Sequence, residues 1–509
     1  MNNPVLTRVL FLNFPNLGLF ALKTRDRFHL LNSLEQIILL VLTKQLFSIH
    51  FYKPILLAIH QIATDYSMSY KFYNFAKNNN LYKIKTYSYS TIGIFLFVIL
   101  IFQLNAQPNK AYLINDEVEG LQIKIDMIRN AKKEVSLAYY AIYEDESGCR
   151  VLAAAVEAAR RGVTVKIMIE SMASKLSKPL LEYLCTENIV VEYFNQFRWS
   201  KMFKNLTSLH DKLLIVDNKY FITGGRNITN NYYSSLYASK KRFTDLEIFV
   251  EGPIASETTD YFNHIWNAPF TSFLNNKYKN KNAKKRKIIN DKINTIIKNE
   301  KTNNIEYWTN QCTEIQEISF IRDYYHFLPR TRFVTNKILS LIYEADKTIK
   351  IESPYTAPPR MMRRALRSSA QKGTKIRIVS NAAFATDVLL AAAVFDKDRK
   401  KYLKWGVRVY EYEGPNTLHS KTMVIDDKIS VIGTYNLDQL SYSLNSETII
   451  VIEDSTFTTK LTKILDQRIL NCKPIFTTEN PKATRNLNWK QKINFAFIKK
   501  TSLFSRPFL

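Results

Sequence analysis

The chain has 509 residues and a formal net charge of +27 at pH 7, from 72 Lys and Arg against 45 Asp and Glu. Lysine, asparagine and isoleucine are abundant along the whole chain, which indicates a general bias of composition, and the positive charge suits anionic membranes and nucleic acid alike. The four cysteines are scattered, which excludes a disulfide framework and a paired zinc site, and no glycine-rich phosphate loop of the P-loop or dinucleotide type occurs.

Residues 1–109 are predicted to be an N-terminal extension with a hydrophobic segment at about 91–106. The run from Ile92 to Leu104 is almost wholly apolar and follows several lysines. It is shorter than the roughly 20 residues of a full membrane span, so it is typical of a signal-peptide core as much as of an anchor. Because basic residues are kept inside, the body that follows would lie outside the cytoplasmic membrane or be secreted.

Two stretches of the body, 110–270 and 311–470, are predicted to contain the same elements in the same order. Each has a strand, a helix and a second strand, followed by a hairpin of apolar, β-branched-rich strands. This alternation predicts an α/β fold of two similar halves, each a mixed β-sheet flanked by helices. The elements are strand 135–142, helix 150–161, strand 163–169 and hairpin 213–223 in the first half, and strand 347–353, helix 360–371, strand 374–380 and hairpin 422–432 in the second.

The halves are joined and followed by basic segments. Residues 271–310 are interpreted as a basic linker; isoleucines between 288 and 297 have helical spacing, but a solvated linker is the favoured interpretation. Residues 471–509 form a basic and aromatic tail, in which Trp489 to Lys500 suits a membrane interface and a helix docked on the body equally well.

One arrangement of residues occurs in both halves. In each, a His is followed two residues later by a Lys and five residues after that by an Asp, and a Gly and an Asn then follow at equal distances. About 0.09 chance matches to the His, Lys and Asp pattern are expected at this composition even if only charge class is required, so two matches indicate a duplication. The two sets are His210, Lys212, Asp217, Gly224 and Asn227, and His419, Lys421, Asp426, Gly433 and Asn436.

The repeated set is suited to phosphodiester chemistry. Positions i and i+2 of a strand share a face, so each His lies beside its Lys and both can address one phosphate. Lys and Asn side chains supply the fixed cations and donors that an anionic phosphodiester needs, without a metal or another cofactor. Asp217 and Asp426 complete the motifs but have the other parity and lie in the turns, where we expect them to satisfy nearby backbone donors.

These motifs resemble those of the phospholipase D superfamily, and the chain is most similar to bacterial cardiolipin synthase-type enzymes over about 110–470. Segments outside the motifs extend the likeness. One departure is Gly225, which stands where the second half has Thr434 and many relatives have Ser. The additional segments are 139–148, 224–227, 245–253 and 380–387.

The resemblance implies one active site shared by the two halves of a monomer. His210 would be the nucleophile, and His419 the general acid and then the base. Asp245 and Glu447 follow their motifs at comparable positions and would orient the imidazoles. The residues expected to catalyse are His210, Lys212, Asp217, His419, Lys421 and Asp426; those expected to bind or support the phosphate are Asn227, Asn436, Gly224, Gly433, Thr434, Asp245 and Glu447, with no metal and no cofactor.

The acceptor that reaches the phosphohistidine decides the reaction. The hydroxyl of phosphatidylglycerol would give cardiolipin, and water would give phosphatidic acid, as in a phospholipase D. A third alternative is a phosphodiesterase acting on nucleic acid, because the same chemistry and the net charge suit a polyanion. The favoured partners are phospholipids and a membrane surface in a bacterial cell envelope, with nucleic acid retained as a less favoured substrate.

Overall fold

The computed structural model describes residues 107–195, 207–268, 271–273, 283–324, 332–475 and 485–505. The hydrophobic segment predicted at about 91–106 lies outside these ranges, so its interpretation as signal or anchor stays a prediction. No helix within the described ranges is both long enough and apolar enough to cross a bilayer.

The first half is built on a sheet whose three parallel strands continue into antiparallel ones. The strands are β1 (Asn109–Ile114), β2 (Glu134–Tyr139), β3 (Thr164–Glu170), β4 (Val190–Phe194), β5 (Ser208–Leu209), β6 (Lys212–Val216), β7 (Tyr220–Gly224), β8 (Phe243–Thr244), β9 (Glu247–Glu251), β10 (Ser272–Phe273) and β11 (Thr313–Ile315). The nine-stranded sheet has the order β10-β4-β3-β2-β6-β7-β9-β1-β11. Strands β2, β3 and β4 are parallel, and the remaining neighbours are antiparallel.

Within the described ranges, six α-helices accompany this sheet, and several begin at a side chain that caps the first turn. Asp145, for example, accepts a hydrogen bond from the backbone N–H of Gly148 at the start of the second helix. The helices are α1 (Glu117–Asn130), α2 (Glu146–Arg160), α3 (Lys178–Thr186), α4 (Ala255–Trp266), α5 (Ala283–Asn299) and α6 (Ile305–Thr309).

The second half repeats the same architecture. Its strands are β12 (Ile318–Arg322), β13 (Thr348–Glu352), β14 (Lys375–Asn381), β15 (Arg408–Tyr412), β16 (Thr417–Leu418), β17 (Thr422–Ile425), β18 (Ile429–Gly433), β19 (Asn445–Ser446), β20 (Thr448–Glu453) and β21 (Cys472–Ile475). Its helices are α7 (Phe333–Glu344), α8 (Arg360–Gln371), α9 (Leu389–Lys404), α10 (Gln439–Ser443), α11 (Ser455–Ile469) and α12 (Trp489–Ser505). The sheet order β21-β15-β14-β13-β17-β18-β20-β12 matches the first sheet strand for strand, apart from β11. The predicted α/β fold of two similar halves is confirmed.

The two sheets share one hydrophobic core between them. The first strand of each motif hairpin is buried on both faces, which explains its nearly continuous apolar sequence. Alternate residues of these strands point to different cores. Leu214 of β6 packs in the core of the first half, whereas its neighbours Leu213 and Ile215 pack with Val424 and Ile432 of the second. The hairpins that carry the repeated motifs are therefore held at the interface of the halves.

Three segments differ from the sequence interpretation. The favoured solvated linker is wrong for α5, which packs on the first half and buries Ile293 among its core residues. Strand β11 lies beyond the predicted start of the second half but pairs with β1 of the first sheet. Strand β21 lies in the predicted tail yet pairs with β15. Segments far from the motifs therefore complete both sheets and the first core. Local sequence patterns do not reveal such contacts, because they show neither which edge strand lacks a partner nor which core surface is uncovered.

The motif hairpins close with two-residue turns that place an aspartate over the neighbouring backbone. Asp217 and Asp426 have φ values of 55° and 51°, and the residues after them are also left-handed, as in the hairpin turns that Asn and Asp favour. Asp426 accepts from the backbone N–H groups of residues 346, 347 and 348 at 2.9, 2.7 and 2.7 Å. Asp217 does the same for residues 132, 133 and 134 at 2.9, 2.7 and 3.0 Å. Both aspartates thus have the backbone partners expected of turn carboxylates.

Replacing Asp426→Asn should lower the free energy of unfolding by about 1–2 kcal/mol, because the amide tolerates the left-handed turn but loses one of its three accepted hydrogen bonds and its charge. The matched control is Asp427→Asn, since in the described part of the chain the exposed Asp427 pairs with Lys350 alone, at 2.6 Å, and its replacement should cost less than about 1 kcal/mol. Urea denaturation of both variants checks the difference. Equal midpoints would contradict the structural role of Asp426.

Candidate active site

Two short parallel ribbons join the halves and position the two motif histidines and the carboxylates beside them. Strand β5 pairs with β19, and β16 pairs with β8. In each ribbon one strand leads directly into a motif histidine, and its partner from the other half leads directly into a carboxylate. The backbone N–H of His419 donates to the carbonyl of Thr244 at 2.8 Å. Each histidine is therefore placed beside a carboxylate of the opposite half.

The residues that hold these ribbons lie at equivalent ends of β3 and β14. Glu170 accepts from the backbone N–H of Leu209 at 2.9 Å and from the hydroxyl of Ser208. Asn381 accepts from the backbone N–H of Leu418 at 2.8 Å and donates to its carbonyl. Sequence reasoning overlooked Glu170 as a site residue; the signal was its position at the end of the repeated strand, where the second half has Asn381.

The two histidine–carboxylate pairs cross between the halves. Nδ1 of His210 lies 3.1 and 3.0 Å from the two carboxylate oxygens of Glu447. Nδ1 of His419 lies 2.7 Å from Oδ2 of Asp245. Because an ionised carboxylate only accepts, each pair favours the proton on Nδ1 and leaves the Nε2 lone pair available. Nε2 is then the atom that can attack a phosphorus or receive a proton.

Both motif lysines are buried beside their histidines, as expected from their spacing on the strand. Nζ of Lys212 donates to the backbone carbonyl of His210 at 2.5 Å, and Nζ of Lys421 donates to that of His419. Nζ of Lys421 also lies 3.2 Å from Nε2 of His419. Two buried ammonium groups in one site attract an anion strongly, because little solvent screens them.

The electrostatics of the site favour neutral imidazoles and ionised carboxylates. Burial, followed by the charge of Lys421, lowers the pKa of His419 to about 4 against the opposing effect of Asp245. Burial lowers the pKa of His210 in the same way, and Glu447 opposes it. Burial alone would raise the pKa of Asp245 and of Glu447. The charge of Lys421 and the contact with His419 outweigh burial at Asp245, and the contact with His210 and the hydroxyl hydrogen bonds outweigh it at Glu447, so both pKa values lie below the usual range. An anion bound here would raise the pKa of both imidazoles.

Repulsion between the two ammonium groups also affects the lysine pKa values. Burial and the charge of Lys421 lower the pKa of Lys212 to about 7. Burial lowers the pKa of Lys421 to about 8, although Asp245 and Glu447 oppose the shift. A bound phosphodiester would relieve this repulsion, so the free site is prepared for an anion.

Gly225, which stands where the second half has Thr434, lies beside Asp245, the shorter of the two carboxylate side chains. A Cβ at this position would lie 2.1 Å from Oδ1 of Asp245, so only glycine leaves space for the aspartate. At the equivalent position of the second half, the hydroxyl of Thr434 donates to Glu447. Thr434 therefore supports a carboxylate, and its hydroxyl is occupied by Glu447 instead of facing a phosphate.

The two asparagines occupy different surroundings. Asn227 accepts from the backbone N–H of Ala141 at 3.2 Å and donates to the hydroxyl of Tyr232 at 3.0 Å. Oδ1 of Asn436 is buried and has no hydrogen-bond partner within the described ranges. The glycines Gly224 and Gly433 lie against the neighbouring strand, where a Cβ at Gly433 would be 2.2 Å from the carbonyl oxygen of Thr448. These two glycines therefore allow close contact with the backbone of a neighbouring strand.

Aromatic side chains form the walls around both histidines. Tyr140 meets His210 edge-on at a centroid distance of 5.3 Å. Tyr232, Phe243 and Tyr355 surround His419 at 5.2, 5.1 and 6.2 Å. These rings exclude water, which strengthens every charge interaction in the site. Tyr140 and Tyr232 were not predicted as site residues, because aromatic residues of a core give the same pattern in sequence.

Two arginines, one from each half, fix the backbone of Asp245. Arg226 donates to the carbonyl of Asp245 at 3.0 Å and is itself held by Glu247 at 3.3 Å. Arg468 donates to the same carbonyl at 3.3 Å and to the hydroxyl of Ser420, the residue after His419, at 2.9 Å. The carboxylate and the histidine that it orients are thereby attached to one guanidinium.

Comparison with known proteins is consistent with this geometry. The profile of the family described as "Cardiolipin synthase, PLD-like domain" matches residues 124–266 and 338–469, more than half of the chain. An "Uncharacterized protein" of Helicobacter pylori (strain J99) is 26% identical over 396 residues, which cover 69% of this chain and 78% of that protein. "Cardiolipin synthase C" of Escherichia coli (strain K12) is 25% identical over 415 residues, 70% of this chain and 83% of that protein. The crystal structure of phosphatidylserine synthase from Haemophilus influenzae Rd KW20 has a similar fold, with a TM-score of 0.60 and 16% identity over 79% of this chain and 98% of that one.

The crossed pairs predict which histidine responds to which carboxylate. Asp245→Asn should lower the pKa of His419, because the carboxylate that opposes burial is lost, and Lys421→Met should raise it. Glu447→Gln should instead lower the pKa of His210. NMR titration of the imidazole signals, assigned with His210→Ala and His419→Ala, measures each shift. A response of His210 to Asp245→Asn, with His419 unchanged, would contradict the crossed arrangement.

Proposed function

Because the chain belongs to the cardiolipin synthase family with a phospholipase D-like domain and is an enzyme of the phospholipase D superfamily, we propose that it transfers phosphatidyl groups between glycerophospholipids. The transfer would proceed through a covalent phosphohistidine. The observation that carries the proposal is the pair of crossed His–carboxylate contacts beside two buried lysines. Such a site holds an anionic diester between two imidazoles with equivalent reactive nitrogens. One imidazole can therefore act as nucleophile while the other handles protons.

The first step of the proposed reaction breaks the bond between phosphorus and the leaving oxygen. Nε2 of His210 forms a bond to phosphorus, and Nε2 of His419 gives its proton to the departing alkoxide. The bound anion raises the low pKa of His419, which supports its protonation before this step. Lys212 and Lys421 compensate the charge on the oxygens of the phosphoryl group.

The second step releases the histidine. An acceptor hydroxyl gives its proton to Nε2 of His419, which is now neutral, and its oxygen bonds to phosphorus while the P–N bond breaks. With phosphatidylglycerol as both donor and acceptor, the products are cardiolipin and glycerol. Together, the two steps return the site to its starting protonation state.

The surroundings of the two rings support His210 as the nucleophile. Within the described ranges, Nε2 of His210 has no hydrogen-bond partner, so its lone pair is free. The ring of His419 has the Lys421 ammonium 2.8 Å from Nδ1 and 3.2 Å from Nε2, and the Tyr232 hydroxyl lies 3.3 Å from Nε2. These neighbours suit an atom that exchanges protons with a leaving or an incoming oxygen.

We further propose that the enzyme works as a monomer at a membrane surface of a bacterial cell envelope. Both motifs lie on one chain, and the ribbons between the halves complete the site without a second copy. Lipid substrates reside in a bilayer, which supports the membrane surface as the place of reaction.

The full chain, reconstituted with labelled phosphatidylglycerol, is expected to form cardiolipin and release glycerol. His210→Ala and His419→Ala should each lower the rate at least about a thousandfold, because nucleophile and acid act as one unit. Phosphatidic acid without cardiolipin would make the enzyme a hydrolase. Cleavage of a DNA control with untouched lipid would replace the proposed substrate by nucleic acid.

The same variants distinguish the two histidines when the lipid carries p-nitrophenol as leaving group. This leaving group departs without a proton, so His419→Ala should still release a burst of about one equivalent and retain label on the protein. His210→Ala should show no burst. A burst in His210→Ala alone would reverse the roles.

The free enzyme should lose kcat/KM more steeply as pH rises through about 7 to 8, because Lys212 and Lys421 become neutral there and no longer attract the diester. This loss adds to the gradual decline that begins above the pKa of His419, about 4, where the free enzyme loses its protonated acid. On the acid side, kcat/KM should persist below the usual imidazole pKa of about 6.5, because burial lowers the pKa of His210. In the complex the bound anion raises the lysine pKa values, so the alkaline limb of kcat should lie at higher pH. A kcat/KM that stays constant up to pH of about 9 would contradict the lysine assignment.

A further inference from the structure

The C-terminal helix α12 is attached to the second half by one face only. Phe495 is buried and Ile498 partly buried against α9, in a cluster with Ala392 and Ala393. Lys499 forms an ion pair with Asp396 of α9. Before the helix, Arg485 contacts Glu411 at 2.5 Å and Glu413 at 2.7 Å. The helix is therefore a docked part of the body, as one of the two sequence interpretations expected.

The opposite face of α12 carries large apolar side chains that nothing covers in the described part of the chain. Trp489, Ile493 and Phe497 are 67%, 62% and 66% exposed. They are four residues apart, so they form one stripe along the helix, on the side away from Phe495 and Ile498. Leaving three such side chains in water is costly, and exposed apolar patches of this kind mark interaction surfaces.

Positive charge surrounds this stripe. At 3.6 residues per turn, Lys490 and Lys492 lie on either side of it, and Lys500 continues its line; all three are exposed. Nζ of Lys490 lies 5.4 Å from the ring centroid of Trp489. The helix from Trp489 to Ser505 contains no Asp or Glu. Its outer surface is thus apolar in the centre and cationic at the edges.

The surface is connected to the part of the site that carries His419. The segment leading into α9 packs under α12 through Ala383 and Phe384. The same segment includes Asp387, which accepts from the hydroxyl of Tyr355 at 2.8 Å, and Ala385, whose carbonyl accepts from Thr417 at 2.7 Å. Contact at α12 can therefore orient the wall of the active site.

We propose that the outer face of α12, defined by Trp489, Ile493, Phe497, Lys490, Lys492 and Lys500, docks on an anionic lipid bilayer, with the apolar stripe at the level of the acyl chains and the lysines at the headgroups. A tryptophan beside lysines is typical of helices that lie in a membrane interface. Ile493 in the middle of the stripe favours a bilayer over nucleic acid, because an aliphatic side chain cannot stack on bases. The proposal does not depend on the reaction, so either can fail alone.

Fluorescence of Trp489 in the full chain tests the docking. Vesicles of phosphatidylcholine with about one third phosphatidylglycerol, labelled with bromine on the acyl chains, should quench part of the tryptophan emission. Trp489→Phe should remove that quenched part, which identifies Trp489 as its source. A readout specific to residue 489 does not register attachment through any other part of the chain.

Charge variants test the role of the lysines. Replacing Lys490, Lys492 and Lys500 by Gln should lower the quenched fraction at least about twofold on anionic vesicles and reduce its dependence on salt. The matched control replaces the exposed Lys284, Lys285 and Lys287 of α5 by Gln, which changes the net charge equally and should leave the quenching as in the wild type.

Three outcomes would overturn the proposal. Trp489 that stays accessible to acrylamide in the presence of anionic vesicles shows that the face does not dock. Protection of Trp489 by DNA but not by vesicles assigns the face to nucleic acid. Protection that rises with protein concentration in the absence of lipid assigns it to a second copy of the chain.

Discussion

The crossed contacts between each histidine and a carboxylate of the other half require a single arrangement of the two sheets. His210 can be oriented by Glu447, and His419 by Asp245, only if the two sheets face each other in one register. The ribbons β5–β19 and β8–β16 impose that register, and the core between the sheets supplies the burial that maintains it. Neither half alone contains a complete site.

Within this near-symmetric frame the two pairs are chemically different. Asp245 reaches His419 because Gly225 leaves space for it, and two arginines hold its backbone. Glu447 reaches His210 with the support of the Thr434 hydroxyl. In this duplicated fold both imidazoles thereby favour the same tautomer but lie in different surroundings. Such a difference allows one imidazole to act as nucleophile and the other as acid in a single reaction.

The site concentrates charge where water is scarce. Removing ammonium and carboxylate groups from water is unfavourable unless they are paired, and here the cations repel each other in the absence of substrate. The depressed pKa values of Lys212 and His419 express this balance. A bound phosphodiester supplies the missing anion, so the folded protein has a site preorganised for charge that develops during transfer. The docking proposed for α12 rests on the same physical reasoning, because an exposed apolar stripe flanked by lysines is complementary to an amphipathic, anionic surface.

Spacings within a few residues were enough to predict the duplicated motifs, the α/β order of each half and the turn position of Asp217 and Asp426. The sequence also identified Asp245 and Glu447 as partners for imidazoles, but not which carboxylate serves which ring. The pairing is visible only in the folded chain. His210 and Glu447 are 237 residues apart and His419 and Asp245 are 174 apart, and no local pattern encodes a contact at such a distance. The role of Glu170, the space at Gly225 and the packing of α5 belong to the same class: each depends on what lies opposite in three dimensions, and a strand or helix pattern describes only one side of a contact.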